Sequence, residues 1–341
     1  MHYLITGHTG FKGSWLSQLL VAQGHEVSGI SLDPKVNDLF TIARLRELFT
    51  HDIREDIRNY QSLEKIFTKI SPDVLIHFAA QPLVLESYRD PVGTYETNVN
   101  GTLNVLRASE VSQSLKARLI ITTDKVYRNT GKTSGYIESD PLGGLDPYSA
   151  SKAMADILSQ SWSASTLGAP ISIVRAGNVI GGGDFAKDRI LTDLVASFVD
   201  DARLELRSPN SVRPWQHVLD CLSGYLRIVN SLLAGPMSVS WNIGPEPSSY
   251  RTVSEIVALA ERFWGKELNV IGTESNFVEA NFLTLDSSQA AKVLGWKGSW
   301  DIELTMNKTI GWYKHYSEGE DARTLCEKDI SEYLENSPLQ S

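Results

Sequence analysis

Cysteine is nearly absent. Cys221 and Cys326 are the only two in 341 residues, with no CxxC pair and no cysteine-histidine ligand spacing, so neither a disulfide framework nor a metal site is expected. That usage suits the reducing cytoplasm, which is the expected compartment. Long apolar runs are missing too. No stretch reaches the roughly 18 residues that a membrane span needs. An excess of basic charge is also lacking, since 32 Lys and Arg stand against 41 Asp and Glu for a formal charge of −9. A phosphate-tracking surface would have to be built against that balance, and nucleic acid is not an expected partner. The opening Met1-His2-Tyr3-Leu4-Ile5-Thr6-Gly7 has no basic n-region, so the mature chain is expected to begin there. No solenoid-type repeat occurs.

What remains is an ordinary globular composition, 42% hydrophobic and 21% charged, long enough for about two domains. Short apolar runs at 3–6, 26–31, 73–79, 119–122 and 171–176 alternate with longer amphipathic stretches, which predicts parallel strands joined by helical crossovers. One predicted helix starts at Phe11, puts Trp15, Leu16, Leu19 and Leu20 on one side, and closes at Gly24. Others run over 91–111 and 148–165. Beyond Ala176 the texture changes, with breaks at Gly181-Gly182-Gly183, Ser208-Pro209-Asn210 and Gly244-Pro245-Glu246-Pro247. Helical spacing resumes through Val253, Ile256, Val257, Ala260, Phe263 and Trp264. The expected fold is α/β, a Rossmann-like doubly wound parallel sheet in residues 1–176 with a return around 215–245 that includes a strand at 237–243. A smaller α+β domain is expected from 177–214 and 246–335. From Ser317 on, the polar chain is expected to be partly frayed.

Thr6-Gly7-His8-Thr9-Gly10-Phe11-Lys12-Gly13 follows the first strand and opens the first helix, the context that a dinucleotide-binding turn requires. Gly7 and Gly10 let backbone approach a pyrophosphate, Gly13 lets helix and strand pack closely, and the helix N-terminus supplies unpaired N–H groups. Where an acid on the second strand would favour NAD, this chain has Ser31, with Asp33 two residues later and Lys35 near enough to meet a 2′-phosphate. These residues leave NAD and NADP open. Asp52 and Ile53 are candidates for the adenine edge, an exposed turn being the alternative. His8 could modulate cofactor phosphate binding, but a solvent-facing loop residue is the expectation.

Tyr148-Ser149-Ala150-Ser151-Lys152 puts a tyrosine and a lysine one helical turn apart. A nearby ammonium would lower the tyrosine pKa, so that the phenolate could take a hydroxyl proton as hydride leaves the same carbon. Thr122-Thr123-Asp124-Lys125 follows a hydrophobic strand, where open α/β sheets place their ligands. There Thr123 could bind a substrate oxygen, Asp124 donate a proton and Lys125 act as base. A solvated turn with an Asp-Lys ion pair is the plain alternative.

These residues carry a resemblance. Together with His77-Phe78-Ala79-Ala80-Gln81-Pro82, Asp146-Pro147, Arg175-Ala176-Gly177-Asn178-Val179-Ile180-Gly181-Gly182-Gly183-Asp184 and Arg213-Pro214-Trp215-Gln216-His217-Val218, they resemble the nucleotide-sugar enzymes of the extended short-chain dehydrogenase/reductase superfamily. Within it the chain is similar to the 4,6-dehydratases, because Asp-Lys after the threonine is a dehydratase feature that similar epimerases generally lack. The glycine turn and the Arg-Pro-Trp-Gln-His run are most particular to the group that converts CDP-D-glucose to its 4-dehydro-6-deoxy derivative.

The resemblance implies a bound NAD, held by Gly7, Thr9, Gly10, Phe11, Gly13, Asp52, Ile53, Ala79, Ala80, Gln81, Asn98, Thr122, Tyr148 and Lys152. It makes Tyr148 the base at the sugar O4, Lys152 its partner, Thr123 a donor to O4, Asp124 the acid at the 6-hydroxyl and Lys125 the base at C5. Asn178, Arg189, Arg213 and His217 would hold the nucleotide sugar, with Arg213 facing its pyrophosphate. Two departures stand out, Leu85 where similar enzymes often have arginine and Arg128 where an acid is expected. A homodimer built on helices near 94–109 and 150–163 is implied as well. The rival readings are a nucleotide-sugar 4-epimerase, which needs Tyr148 and Lys152 but no acid/base pair for elimination, and a catalytically silent NAD-binding regulator.

Overall fold

The apolar runs pair into one parallel sheet. In chain order the first half of the computed structural model forms β1 (His2–Thr6), α1 (Phe11–Ala22), β2 (Glu26–Ser31), α2 (Leu39–Ile42), β3 (His51–Arg54), α3 (Tyr60–Ile70), β4 (Val74–His77), α4 (Val84–Arg89), α5 (Pro91–Tyr95), α6 (Gly101–Ser109), β5 (Ala117–Ile121), α7 (Pro147–Ser165) and β6 (Ile171–Ala176). The second half adds β7 (Val179–Ile180), α8 (Ile190–Asp200), β8 (Leu204–Leu206), β9 (Val212–Pro214), β10 (Gln216–His217), α9 (Val218–Ala234), β11 (Ser240–Ile243), β12 (Tyr250–Thr252), α10 (Val253–Trp264), β13 (Val270–Gly272), α11 (Ser288–Leu294), α12 (Ile302–Ser317) and α13 (Ala322–Asn336). The structure describes residues 1–132, 134–166, 168–186, 189–206, 208–235, 237–272 and 283–336.

Seven strands lie in the order β11-β6-β5-β4-β1-β2-β3, all parallel. This is the Rossmann-like α/β fold expected. The strand foreseen at 237–243 is β11, which extends the sheet beside β6 with Ser240 opposite Ile173. The sheet's order reverses between β1 and β4, so the ends of these strands open a crevice. One face is covered by α3 and α6, through Leu63, Phe67, Val105 and Ala108 on Leu4, Ile30 and Leu75. The other is covered by α1 and α9, with Trp15, Leu16, Leu19, Leu222 and Tyr225 on Ile5, Ile76 and Leu119. Trp15 is fully buried and its indole N–H donates to the Gly182 carbonyl at 2.9 Å, tying α1 to the segment after β7. Truncating such a side chain costs about 3–5 kcal/mol.

A second core gathers Leu191, Leu194 and Phe198 of α8, Leu204 and Leu206 of β8, Ile256 and Ala260 of α10, and Ile302, Met306 and Ile310 of α12. Short strand pairs β7/β10, β9/β12 and β8/β13 stitch this region together.

Two local expectations change. The predicted helix over 91–111 is divided into α5, a π turn at Glu96–Asn100, and α6. The wider turn rotates Asn98 inward, where its amide accepts from Gln81 N at 2.7 Å and donates to Ser151 Oγ at 2.9 Å. Such bulges recur at functional sites. The segment expected to fray is α13 over Ala322–Asn336, whose Leu325, Cys326, Ile330 and Tyr333 are buried in the core that contains α1.

Candidate active site

One cavity of about 990 Å³ runs along the carboxyl ends of the strands and into the second region. The glycine turn forms its floor. Gly7 has φ +76°, and a Cβ there would lie 2.7 Å from Ala79 N. At Gly13 a Cβ would lie 2.4 Å from the Gly7 carbonyl oxygen, so only glycine permits the close stacking of turn and helix. The first turn of α1 has no acidic residue and no side-chain cap at Gly10, leaving its N–H groups and positive end facing the cavity.

The cavity wall holds most of the residues singled out from the sequence. Gly7, Thr9, Gly10, Phe11, Gly13, Ala79, Ala80, Thr122, Thr123, Asp124, Lys125, Tyr148, Lys152, Asn178, Arg189 and Arg213 all line it. Gln81 and Asn98 do not; they brace α7 from behind through the bonds just described. Asp52 and Ile53 do not line it either. Asp52 sits within β3 and bonds His8 Nε2 at 2.7 Å and Arg54 at 2.7 Å. Asp56 and Ile57, four residues later and just past the end of β3, do line it. There Arg58, hydrogen-bonded to Asp56, holds its carboxyl below the usual range.

His8 is fully buried, contrary to the solvent-facing expectation. Its ring packs 4.7 Å from Phe49 and 5.3 Å from Phe40, and Gly29 leaves room for it, since a Cβ there would lie 2.3 Å from the imidazole. His217 is likewise buried and outside the cavity. It caps α9 by accepting from Leu219 N at 3.2 Å and packs 4.6 Å from the Trp300 ring; burial pushes its imidazole down to about 3. Trp215, two residues before His217, borders the cavity.

The chemistry concentrates where α7 meets the end of β5. Asp146 caps α7 by accepting from Ser149 N at 2.9 Å, and Pro147 opens the first turn, which sets Tyr148 at the helix head. Burial pushes the Tyr148 phenol up to about 12; the Thr123 hydroxyl, within its reach, and the charge of Arg189 act against that. Lys152 Nζ donates to the Ile121 carbonyl at 2.8 Å, and burial, with Lys12, brings its ammonium down to about 8. The expected lowering of the tyrosine pKa by this ammonium is not found: Lys152 is directed to the strand end, and burial sets the tyrosine's high value.

Asp124 is the most informative group. It is buried, one oxygen accepts from Thr123 Oγ1 at 2.8 Å, and Oδ2 has no hydrogen-bond partner among the described residues. Burial raises its carboxyl above the usual range, against the pull of Lys125, Thr123 and Arg213. The solvated ion-pair alternative therefore does not describe this turn. Gly177 matters here because a Cβ would lie 3.2 Å from Oδ2. Arg189 pairs with Asp184, a cavity residue that the sequence reading did not assign.

The model of the NAD dependent epimerase/dehydratase family matches residues 3–244. The chain belongs to that family. It is 40% identical over 342 residues to the CDP-glucose 4,6-dehydratase of Salmonella typhimurium, covering 97% of this chain and 95% of the relative. The structure of UDP-glucuronic acid 4-epimerase from Bacillus cereus, in complex with UDP-glucuronic acid and NAD, superposes with a TM-score of 0.81 at 25% identity, over 93% of this chain and 100% of that one. A dTDP-glucose 4,6-dehydratase from Bacillus anthracis in complex with NAD shares the fold with a TM-score of 0.80 at 22% identity, over 96% and 99%. At the end of β5 this site holds the buried Asp124, whose carboxyl burial raises above its ordinary range and whose Oδ2 has no hydrogen-bond partner among the described residues. The cofactor the family is named for also fits this site: the glycine floor is a cradle that a Cβ would fill, and it lies under an uncapped helix N-terminus.

Proposed function

We propose that the chain removes water from a nucleotide-activated hexose, converting CDP-D-glucose to CDP-4-dehydro-6-deoxy-D-glucose with NAD as a retained cofactor. The observation that carries this reading is Asp124. A carboxyl whose pKa burial raises, with one oxygen unpaired among the described residues and in the cavity wall that also holds Tyr148, is equipped to protonate a leaving hydroxyl. An epimerase has no leaving hydroxyl to protonate, and a silent binding module needs neither group. The 40% identity to a CDP-glucose 4,6-dehydratase supports the same choice.

NAD would rest on Gly7, Gly10 and Gly13, with Asp56 and Ile57 at the adenosine end, and when bound it supplies the hydride acceptor and later the hydride donor. Tyr148 takes the proton from the sugar O4 while Thr123 holds that oxygen. The resulting C4 ketone acidifies C5, Lys125 removes the C5 proton, and Asp124 delivers its proton to the 6-hydroxyl, which leaves as water. Asn178, Arg189 and Arg213 hold the nucleotide diphosphate. Residues 1–176 with the return of 215–245 form the cofactor part, to whose core α11 and α13 add, and the rest of 177–214 and 246–335 forms the sugar-nucleotide part, whose closure over the strand ends limits water at the reacting carbon.

We further infer a homodimer through α5, α6 and α7, supported by the exposed apolar side chains of Val92 on α5 and of Met154 and Ile157, three apart on α7, at 66%, 47% and 53%. Incubation with CDP-, dTDP- and UDP-glucose, followed by mass spectrometry, tests the activity. Loss of one water from CDP-glucose is expected, whereas isomerisation without loss of mass would establish the epimerase, and no change at all the silent regulator.

A further inference from the structure

The turn that carries Thr123, Asp124 and Lys125 is pinned at both ends to a single buried ion pair. Thr122, just before it, donates from Oγ1 to Asp156 at 3.1 Å. Tyr127, just after it, accepts at its hydroxyl from Arg175 at 2.9 Å and donates to Asn242 at 2.7 Å. Asp156 and Arg175 join these pins through two parallel bonds of 2.8 Å, with side chains 0% and 1% exposed. Asp156 lies on α7 one turn beyond Lys152, which lies one turn beyond Tyr148. Arg175 is on β6, between that helix and β11.

The guanidinium has five N–H donors, and all five are used. Two meet Asp156; the others meet the Tyr127 hydroxyl, the Glu138 carbonyl at 2.9 Å and Ser240 Oγ at 3.3 Å. Only a planar fork can reach these partners together. Desolvation offsets most of the attraction in a buried pair, so stability alone is a weak reason for this one.

We propose that Asp156 and Arg175 are positioning residues that hold the Tyr148–Lys152 helix and the Thr123–Lys125 turn in one register. This rests on the dehydratase reading. The helix serves oxidation at C4 and the turn serves elimination across C5 and C6, so the ion pair keeps the two steps coupled.

The test uses the NAD-loaded full chain with CDP-glucose. Arg175→Lys keeps the charge but reduces five donors to three, and Tyr127→Phe removes only the hydroxyl link, which guards against a lysine variant that fails to fold. For Arg175→Lys we expect kcat to fall about 10- to 100-fold, the size of a small misplacement of reacting groups, with KM changed by less than about threefold. The near-ultraviolet absorbance of reduced nicotinamide should rise during turnover in both variants, because oxidation then runs ahead of elimination. NAD affinity, measured calorimetrically, should stay near the wild-type value. A variant that had merely lost folded protein would lower the rate in proportion, without that absorbance. Wild-type kcat in both variants, or a loss without reduced cofactor, overturns the proposal. If the wild type itself removes no water, the dehydratase reading fails and the proposal fails with it; a dehydrating wild type with fully coupled variants overturns the proposal alone.

Discussion

Asp124→Asn isolates the proton on which the proposed elimination depends. Asparagine keeps the volume of the buried group and an oxygen to accept from Thr123 Oγ1, now at 2.8 Å, but it cannot donate to a leaving hydroxyl as an acid. Losing a positioned general acid costs about 10²- to 10⁴-fold, and that loss should fall on water elimination while deuterium at C4 still exchanges into the cofactor. A second signature comes from stability. Burial raises the folded-state carboxyl, so below the unfolded value of about 4 both states are protonated and the wild type bears no penalty. As pH rises from there, the unfolded chain ionises before the folded one does, and the wild type loses stability until pH passes the folded value. Each unit of elevation is worth about 1.4 kcal/mol. Urea unfolding across a pH series should therefore show the two proteins diverging from acid to neutral pH, with the asparagine variant gaining. Dehydration by the variant within about threefold of wild type would refute the role of Asp124 in catalysis, and a stability difference independent of pH would refute the reading of its protonation.

Lys125→Met should lower dehydration by about 10²-fold or more and stop solvent deuterium from entering C5 in heavy water; full C5 labelling in the variant would place the base elsewhere. Gly7→Ala forces an L side chain into φ +76°, with Cβ 2.7 Å from Ala79 N. At least about 1–2 kcal/mol of strain is expected, read as a lower Tm together with weaker NAD binding by calorimetry. Ile157→Glu should convert a sedimenting dimer to a species near the chain's own 37.8 kDa, and a wild type already at that mass across a wide concentration range would count against the dimer.

The parts of this molecule that read clearly from sequence are those whose partners are close in the chain. α1 shows Trp15, Leu16, Leu19 and Leu20 on one stripe with Gly24 at its end, and the glycine turn sits between a strand and a helix that both announce themselves. The Thr123–Lys125 turn and the tyrosine helix likewise carry their proposed chemistry in a few consecutive residues. The misread residues depend on distant ones. His8 looks like a loop histidine until Phe40, Phe49 and Asp52 arrive to bury it, the last from 44 positions away. In α13, Leu325, Cys326, Ile330 and Tyr333 follow helical spacing, but intervening residues such as Glu327, Lys328 and Glu332 give the segment a polar average that hides the stripe.

Two candidates for the adenine edge look alike in sequence, because Asp52-Ile53-Arg54 and Asp56-Ile57-Arg58 repeat one pattern four residues apart. Sequence chemistry is the same in both. Strand direction separates them: Asp52 pairs within β3, so its carboxyl is taken by His8 and Arg54 beneath the glycine turn, whereas Asp56 lies just past the strand's carboxyl end, where ligands of an open α/β sheet bind. Calorimetry on two variants decides between them. Asp56→Ala should weaken NAD by about tenfold, the loss of roughly 1.4 kcal/mol for a hydrogen-bonded charged group. Asp52→Ala should lower Tm, since it leaves a buried His8 and an arginine without their shared partner. If Asp52→Ala weakens NAD as much as Asp56→Ala at unchanged Tm, the first of the two motifs meets the cofactor after all, and the end of β3 does not set the adenosine site.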